Sequence, residues 1–244
     1  MGQGIPRVLQ GTPAQALENL ADYRLEVPAG WDPGFSRVLR QLYAPGNDLI
    51  SASGRETFAM LSVLERLAKS SYQPANSAIY SPDVFGNHLK QVAQLIKADV
   101  GLEAAVLSLA DWDSHASQIN FLAAPMQSLA QGLQGFVQDL GDRVRRVTVL
   151  VMSEFGRRIM PNDSGGTDHG RATAMLVIGG GIRGGKVYGA WPGLAGSDLD
   201  SQGNLRVTTD YRNVLAELVD RRLKNSAIDR VFPGLKPSYL NFTA

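Results

Sequence analysis

The segment Val147-Thr-Val-Leu-Val-Met152 carries the strongest strand signal in this chain, and it runs directly into the polar sequence Ser153-Glu-Phe-Gly-Arg157. Its six residues are mainly β-branched and are apolar on both faces, as expected for a strand buried within a parallel sheet. Apolar runs of the same kind occur at Ala104–Leu109 and Met175–Ile178. Because helical patterns separate and follow these runs, the sequence predicts an α/β fold with a mostly parallel sheet and helices packed against it.

Apolar residues recur at helical spacing in the other segments. In Ser53–Ser70, for example, Phe58, Leu61, Leu64 and Leu67 repeat every three residues. We predict a single domain over residues 1–244, with a mainly helical part at 1–100 and an α/β core at 101–244. The predicted helices are Thr12–Asp22, Phe35–Tyr43, Ser53–Ser70, Val84–Ala98, Gln118–Leu140 and Thr208–Lys224.

The composition excludes several classes of protein. The net charge is +1 and no basic stretch alternates with aromatics, so the chain is not expected to bind nucleic acid. No apolar run is long enough to cross a bilayer, and the first residues do not form a signal peptide, so the compartment stays open. Cysteine is absent, which excludes disulfides and thiolate metal ligands. No Gly-x-Ser-x-Gly motif surrounds Ser153, so a Ser-His-Asp triad has little support.

Two short segments combine aspartate with histidine: Asp111-Trp-Asp-Ser-His115 and Gly166-Thr-Asp-His-Gly170. Asp113 and His115 are two residues apart, so in an extended segment their side chains face the same way. His169 would reach the same point from a different loop. Two histidines, one carboxylate and an open position form a known catalytic zinc set that acidifies a bound water.

The sequence leaves structural interpretations of the same residues open. Asp113 could cap the helix that starts near Ser117, and Asp168 could hold a turn. Glu154 follows an apolar strand, where a carboxylate needs a partner. That partner is either a neighbouring arginine, Arg157 or Arg158, or a metal, and Glu154 could also act as a general base. Arg157 could bind an anionic substrate group or simply be exposed to solvent.

Several motifs together resemble DUF1501, a bacterial family of unknown function. They include Ser153-Glu-Phe-Gly-Arg157, Asn162, Gly166-Thr-Asp-His-Gly170 and the glycine-rich run Gly179–Gly185. Trp112-Asp113-Ser-His115-x-x-Gln118 is similar to the family's Trp-Asp-Thr-His-x-x-Gln. The resemblance runs from about Pro6 to the end of the chain, and residues 147–189 are its most specific part.

This resemblance implies a fold and a metal site. The family is placed with the alkaline-phosphatase-like and sulfatase-like proteins, which are three-layer α/β/α sandwiches around a divalent-metal site. Oxygen and nitrogen ligands suit zinc, manganese or iron. Asp113, His115 and His169 match the ligands of one metal. The second metal of that superfamily takes an Asp-His pair at a strand end, where this chain has Glu154-Phe155. Phenylalanine cannot bind a metal, which leaves Asp168 as a candidate substitute.

The resemblance also implies that the chain lacks the N-terminal part of the fold, including the strand that supplies a Ser or Thr nucleophile. A sheet without that strand would have an exposed edge suited to self-association. Relatives are often exported to the periplasm. The implied function is metal-dependent hydrolysis of phosphate or sulfate esters, acting on a small anionic substrate. The alternative is a non-catalytic, truncated member of that fold, acting in ligand binding or assembly.

Overall fold

The computed structural model describes residues 14, 16–20 and 34–244. These residues fall into two compact units. The first unit contains the described residues up to Ser108, together with Ala130–Asp139. The second contains Leu109–Leu129 and Leu140–Ala244. Both ends of the predicted helix Thr12–Asp22 lie outside the described residues.

The first unit contains three helices close to their predicted positions: α1 (Gly34–Tyr43), α2 (Leu49–Lys69) and α3 (Val84–Lys97). Helix α2 begins four residues before the predicted Ser53, because Asp48 caps it. Carboxylates begin two of the helices. The Asp48 side chain accepts a hydrogen bond from the backbone N–H of Ser51, and Asp83 does the same for Gly86, which satisfies donors that the first turn leaves unpaired. The apolar faces of α2 and α3 meet Leu20 in a core cluster of Leu20, Leu64 and Leu95, with Leu17, Met60 and Leu67 packed against it. Helix α1 contributes no buried residue.

A buried carboxylate, Asp139, also stabilises the first unit. It is 1% exposed and accepts hydrogen bonds from the hydroxyls of Tyr72 at 2.6 Å and Tyr80 at 2.7 Å, and from the backbone N–H of Ala75 at 2.6 Å. The Lys97 ammonium forms an ion pair with the same carboxylate. Burial opposes the charge of Asp139, but these four donors outweigh it and hold the pKa of the carboxyl below its ordinary value.

The second unit joins short strands to helices through long loops. The helix α4 (Gln118–Leu140) matches its predicted bounds. Its residues 118–129 and Leu140 belong to this unit, whereas its residues 130–139 belong to the first unit. A short 3-10 helix, Gly141–Arg146, follows it. The remaining elements are β1 (Thr148–Val151), β2 (Gly156–Arg157), β3 (His169–Gly170), β4 (Leu176–Gly179), the 3-10 turn Gly196–Asp198, α5 (Tyr211–Arg221) and α6 (Ile228–Val231).

The predicted mostly parallel sheet, and with it the three-layer α/β/α sandwich, is wrong. Strands β1 and β4 pair antiparallel, with Thr148 opposite Gly179 and Val151 opposite Leu176. Across the described residues the sheets are two antiparallel pairs, β1 with β4 and β2 with β3. The segment 104–109 forms no strand and is mostly exposed. An apolar run favours a buried strand, but it fixes neither the burial of its segment nor the direction of its partner strand, both of which depend on residues distant in sequence.

A second buried carboxylate anchors the C-terminal segment within the second unit. Glu217 on α5 accepts hydrogen bonds from the backbone N–H groups of Asn241 and Thr243 and from the Thr243 hydroxyl, at 2.8–2.9 Å. The backbone N–H of Arg183 then bonds to the carbonyl of Phe242 at 2.7 Å. The segment after β4 is therefore held next to the last residues of the chain.

Among the described residues, no helix combines the length and the apolar character that crossing a membrane requires. This agrees with the prediction from the sequence.

Candidate metal centre

Two separate segments supply the candidate ligands in the second unit. Asp113 and His115 lie in the irregular segment that leads into α4, and His169 begins β3. Strand β3 is paired with β2 so that His169 lies opposite Arg157. The loop between these two short strands carries the chain back towards His115, where Ala116 forms a bridge with Gly165.

The three side chains converge on one point. Asp113 Oδ1 lies 2.7 Å from His169 Nε2 and 2.9 Å from His115 Nε2, and the two Nε2 atoms are 3.2 Å apart. All three residues are exposed, with 45–60% of each side chain accessible to solvent. The hydrogen bond from His169 is the main reason why the pKa of Asp113 is lowered. The structure therefore brings together the three residues that the two Asp/His segments suggested.

Ligand atoms about 2.0–2.2 Å from one tetrahedral metal lie about 3.3–3.6 Å from one another. The two Nε2 atoms, 3.2 Å apart, come close to that spacing, whereas their distances of 2.7 and 2.9 Å to Asp113 Oδ1 are those of hydrogen bonds and would have to lengthen around an ion. Both imidazoles direct Nε2 at the same carboxylate oxygen and also at each other. A hydrogen bond between the two nitrogens needs one to donate and the other to accept, whereas a cation can interact with the lone pairs of both.

Asp168 lies on the opposite side of His115. Its Oδ1 is 3.5 Å from His115 Nδ1, the ring nitrogen that does not face Asp113. It also accepts a hydrogen bond from Asn162 Nδ2 at 3.1 Å. The Asn162 hydrogen bond is the largest cause of the lowered pKa of Asp168, followed by the one to His115. The carboxylate therefore contacts the back of the imidazole, as the outer partners of metal-binding histidines commonly do.

Asn162 organises the loop that connects these residues. Its Nδ2 also donates to the backbone carbonyl of His115 at 2.9 Å, and its Oδ1 accepts from the N–H groups of Ser164 and Gly166 at 3.0 Å. A side chain at Gly166 would overlap the carbonyl of His115, so glycine is required at this close approach. Sequence reasoning did not assign a role to Asn162, and its place in the family motif was the available signal.

Arg157 and Phe155 support the centre from the other side. Arg157 donates to the backbone carbonyls of Thr167 and Trp112, both at 2.6 Å, and its Nη2 is 3.7 Å from Asp113 Oδ1. The Phe155 ring stacks on His169, with centroids 4.2 Å apart and planes at 9°. Arg157 thus connects the segment before α4 to the loop before β3, while Phe155 limits the rotation of the His169 ring.

Glu154 and the third histidine of the chain, His88, lie outside the three-residue donor set. Glu154 is exposed and forms no ion pair with Arg157, Arg158 or any other described residue. His88, on α3 in the first unit, contacts the backbone carbonyl of Glu18 at 3.1 Å.

The fold and the site define a helix-rich protein with short antiparallel strands and a candidate centre for one metal ion. Residues 61–232 match the family described as "Protein of unknown function (DUF1501)", and the chain belongs to this family. Searches of curated proteins and of solved structures found no match.

Proposed function

We propose that Asp113, His115 and His169 bind one divalent cation, zinc or manganese, and that the protein is a metal-dependent hydrolase of phosphate or sulfate esters. The observation that carries the proposal is the convergence of Asp113 Oδ1, His115 Nε2 and His169 Nε2, with each pair separated by 2.7–3.2 Å. The two imidazoles suit zinc, and the carboxylate is a ligand that manganese also accepts. The choice of an ester substrate rests on the sequence resemblance alone, in which the positions of Asp113, His115 and His169 bind a metal, and not on the fold.

A cation held here would supply Lewis-acid chemistry and an acidified water. The chain's own residues orient and expose the site. Asp113 contributes the anionic ligand, and Arg157 holds the adjoining backbone at Trp112 while its guanidinium lies beside the carboxylate. Asp168 contacts His115 Nδ1 and so orients the ring with Nε2 towards Asp113 and His169. Because the three side chains are exposed, an ion held by them would be accessible to an anionic substrate group.

Two roles suggested by the sequence change in this proposal. Both terminal nitrogens of Arg157 bond to carbonyls, so we assign this residue to positioning of the site rather than to contact with the substrate. Asp168 becomes a positioning residue rather than a metal ligand. A role for Glu154 as a general base stays a prediction.

A second candidate is metal-dependent ligand binding without turnover. Phe155 favours it, because its ring is stacked on His169 in the position where the superfamily has a ligand of a second metal. Among the described residues, Asp113, His115 and His169 form the only donor set of this kind.

Metal analysis of the purified protein tests the shared part of both candidates. We expect about one zinc or manganese ion per chain after loading and dialysis, and strong loss of the ion in His115→Ala and His169→Ala. His88→Ala is the matched control, because it removes the third histidine of the chain from outside the site. Equal metal content in all three variants would show that the ligands are wrongly assigned.

Turnover separates the two candidates. We expect the metal-loaded protein to hydrolyse 4-nitrophenyl phosphate or 4-nitrophenyl sulfate, and the activity to disappear in His115→Ala but not in His88→Ala. A protein that binds the metal but leaves both esters intact supports the binding role.

A further inference from the structure

An apolar cavity of about 470 Å³ lies beside the first turns of α4. Ile119, Leu122, Ala123 and Met126 of α4 line one side, and Pro161 lies on the other. Ile119 is 90% exposed and Met126 is 57% exposed, so this part of the helix presents apolar surface to solvent. Sites for small molecules have volumes of about 300–1,000 Å³ and mainly apolar walls.

The cavity shares a loop with the metal centre. Gly166 and Thr167 line the cavity. Gly166 also packs directly against the carbonyl of His115, and Thr167 stands two residues before His169. At the border between the two regions, the Thr167 hydroxyl donates to Gln118 Oε1 at 2.8 Å. The same few residues therefore form a wall of the cavity and support the candidate ligands.

We propose that this cavity binds the aryl or hydrocarbon group of an amphiphilic anion whose phosphate or sulfate head is bound by the cation. The inference rests on the proposed function, which supplies the site for the head. The two regions differ in chemistry: one side offers a cation and imidazoles, and the other offers aliphatic side chains. A ligand that fits both has a compact anionic head joined to an apolar body. The cavity is open to solvent where Ile119 is 90% exposed, so the apolar body of a ligand can enter it from outside.

Binding of two phosphonates, which cannot be hydrolysed as esters, tests this proposal. The ligands are 1-naphthylmethylphosphonate and methylphosphonate, titrated into zinc-loaded protein by calorimetry. We expect the naphthyl compound to bind at least about tenfold more tightly, because the cavity removes its ring from water. Met126→Glu should abolish this difference by placing a charge in the apolar wall, while leaving the affinity for methylphosphonate within about twofold of that of the unsubstituted protein.

Phe121→Glu is the matched control. Phe121 is a large apolar residue on the same helix, 61% exposed, and it does not line the cavity. This variant should keep the preference for the naphthyl compound. Equal affinities for the two phosphonates in the unsubstituted protein, or the same preference in Met126→Glu and Phe121→Glu, would overturn the proposal. Circular dichroism of each variant verifies that the helix content is retained.

The same titrations distinguish failure of the proposed metal site from failure of the proposed cavity site. If zinc does not bind, methylphosphonate shows no zinc-dependent affinity, and the proposed function fails. Titration of the zinc-free protein with the naphthyl compound then still compares Met126→Glu with Phe121→Glu, and an equal response of the two variants would rule out the cavity.

Discussion

Individual side chains around His115 account for the geometry of the candidate centre. The imidazole is constrained on one side by Asp168 and on the other by Asp113, while Asn162 holds its backbone carbonyl. Each ligand in the cluster is exposed, so its orientation depends on these contacts rather than on core packing. Outer partners of this kind are often worth a factor of about 10–100 in metal affinity.

Asn162→Ala is expected to weaken zinc binding by about tenfold or more. The substitution removes the amide that holds both Asp168 and the His115 carbonyl, so the imidazole is no longer fixed. Isothermal titration with zinc measures the effect. Asn120→Ala, at an exposed position on α4, is the matched control and should bind zinc normally. Unchanged affinity in Asn162→Ala would show that the loop does not position His115.

The predictions made for the aspartates and histidines have different outcomes at different residues. Asp113, His115 and His169 were singled out because aspartate and histidine occur together in short segments, and these three side chains do meet. Asp168 has the same local sequence context, but it contacts His115 Nδ1 rather than joining the donor set. Which ring nitrogen a carboxylate faces depends on the path of the loop, and the residue types alone do not specify that path.

At the level of helices and loops, buried carboxylates hold segments of the chain together in addition to the apolar faces. Asp139 connects the segment Tyr72–Tyr80 to Lys97 on α3, and its side chain is fully inaccessible to solvent. Removing one member of a buried charged pair leaves the other uncompensated, at a cost of about 3–5 kcal/mol. Lys97 keeps 17% of its side chain exposed, which places the expected cost at the lower end of that range.

Asp139→Asn is therefore expected to lower the free energy of unfolding by about 3 kcal/mol at pH 7. The folded state lowers the pKa of Asp139. The contribution of this carboxylate to the free energy of unfolding is therefore fully present above its pKa in the unfolded chain, about 3.9, and is lost as the pH falls through its lower pKa in the folded protein. The difference between the two proteins should then shrink below about pH 4. Urea unfolding at pH 7 and pH 3.5 measures it.

Asp142→Asn is the control for this experiment. Asp142 forms an ion pair with Arg145 at 3.4 Å, but 95% of its side chain is exposed, so the change should cost less than about 1 kcal/mol. If both variants lose the same stability at pH 7, burial of Asp139 is not the source of the effect.

At the level of the complete chain, a bound ion would couple ligand binding to stability. The three candidate ligands come from two segments that are more than fifty residues apart in sequence, so a shared cation favours the folded arrangement over the unfolded chain. Cysteine is absent, so the unfolded chain offers no thiolates that would compete for the ion. A ligand at a hundred times its Kd stabilises the folded state by about 2.7 kcal/mol.

Zinc at that excess is therefore expected to raise the Tm of the second unit by roughly 5 °C or more. Differential scanning calorimetry with and without zinc measures the shift. The increase should be absent in His169→Ala and present in His88→Ala. An equal increase in both variants would indicate that zinc stabilises the protein from another site.

The long helices and the convergence of the candidate ligands could be predicted from the sequence. The short helix α6, the ends of α5, the sheet and the organisation of the loop around Asn162 could not. A helix such as α2 or α4 depends on contacts between residues three and four apart in sequence. The spacing of apolar residues within a short segment is therefore enough to predict it. The direction of β1 relative to β4 depends on how the residues between them fold back. That path is set by contacts distant in sequence, which a local pattern does not contain.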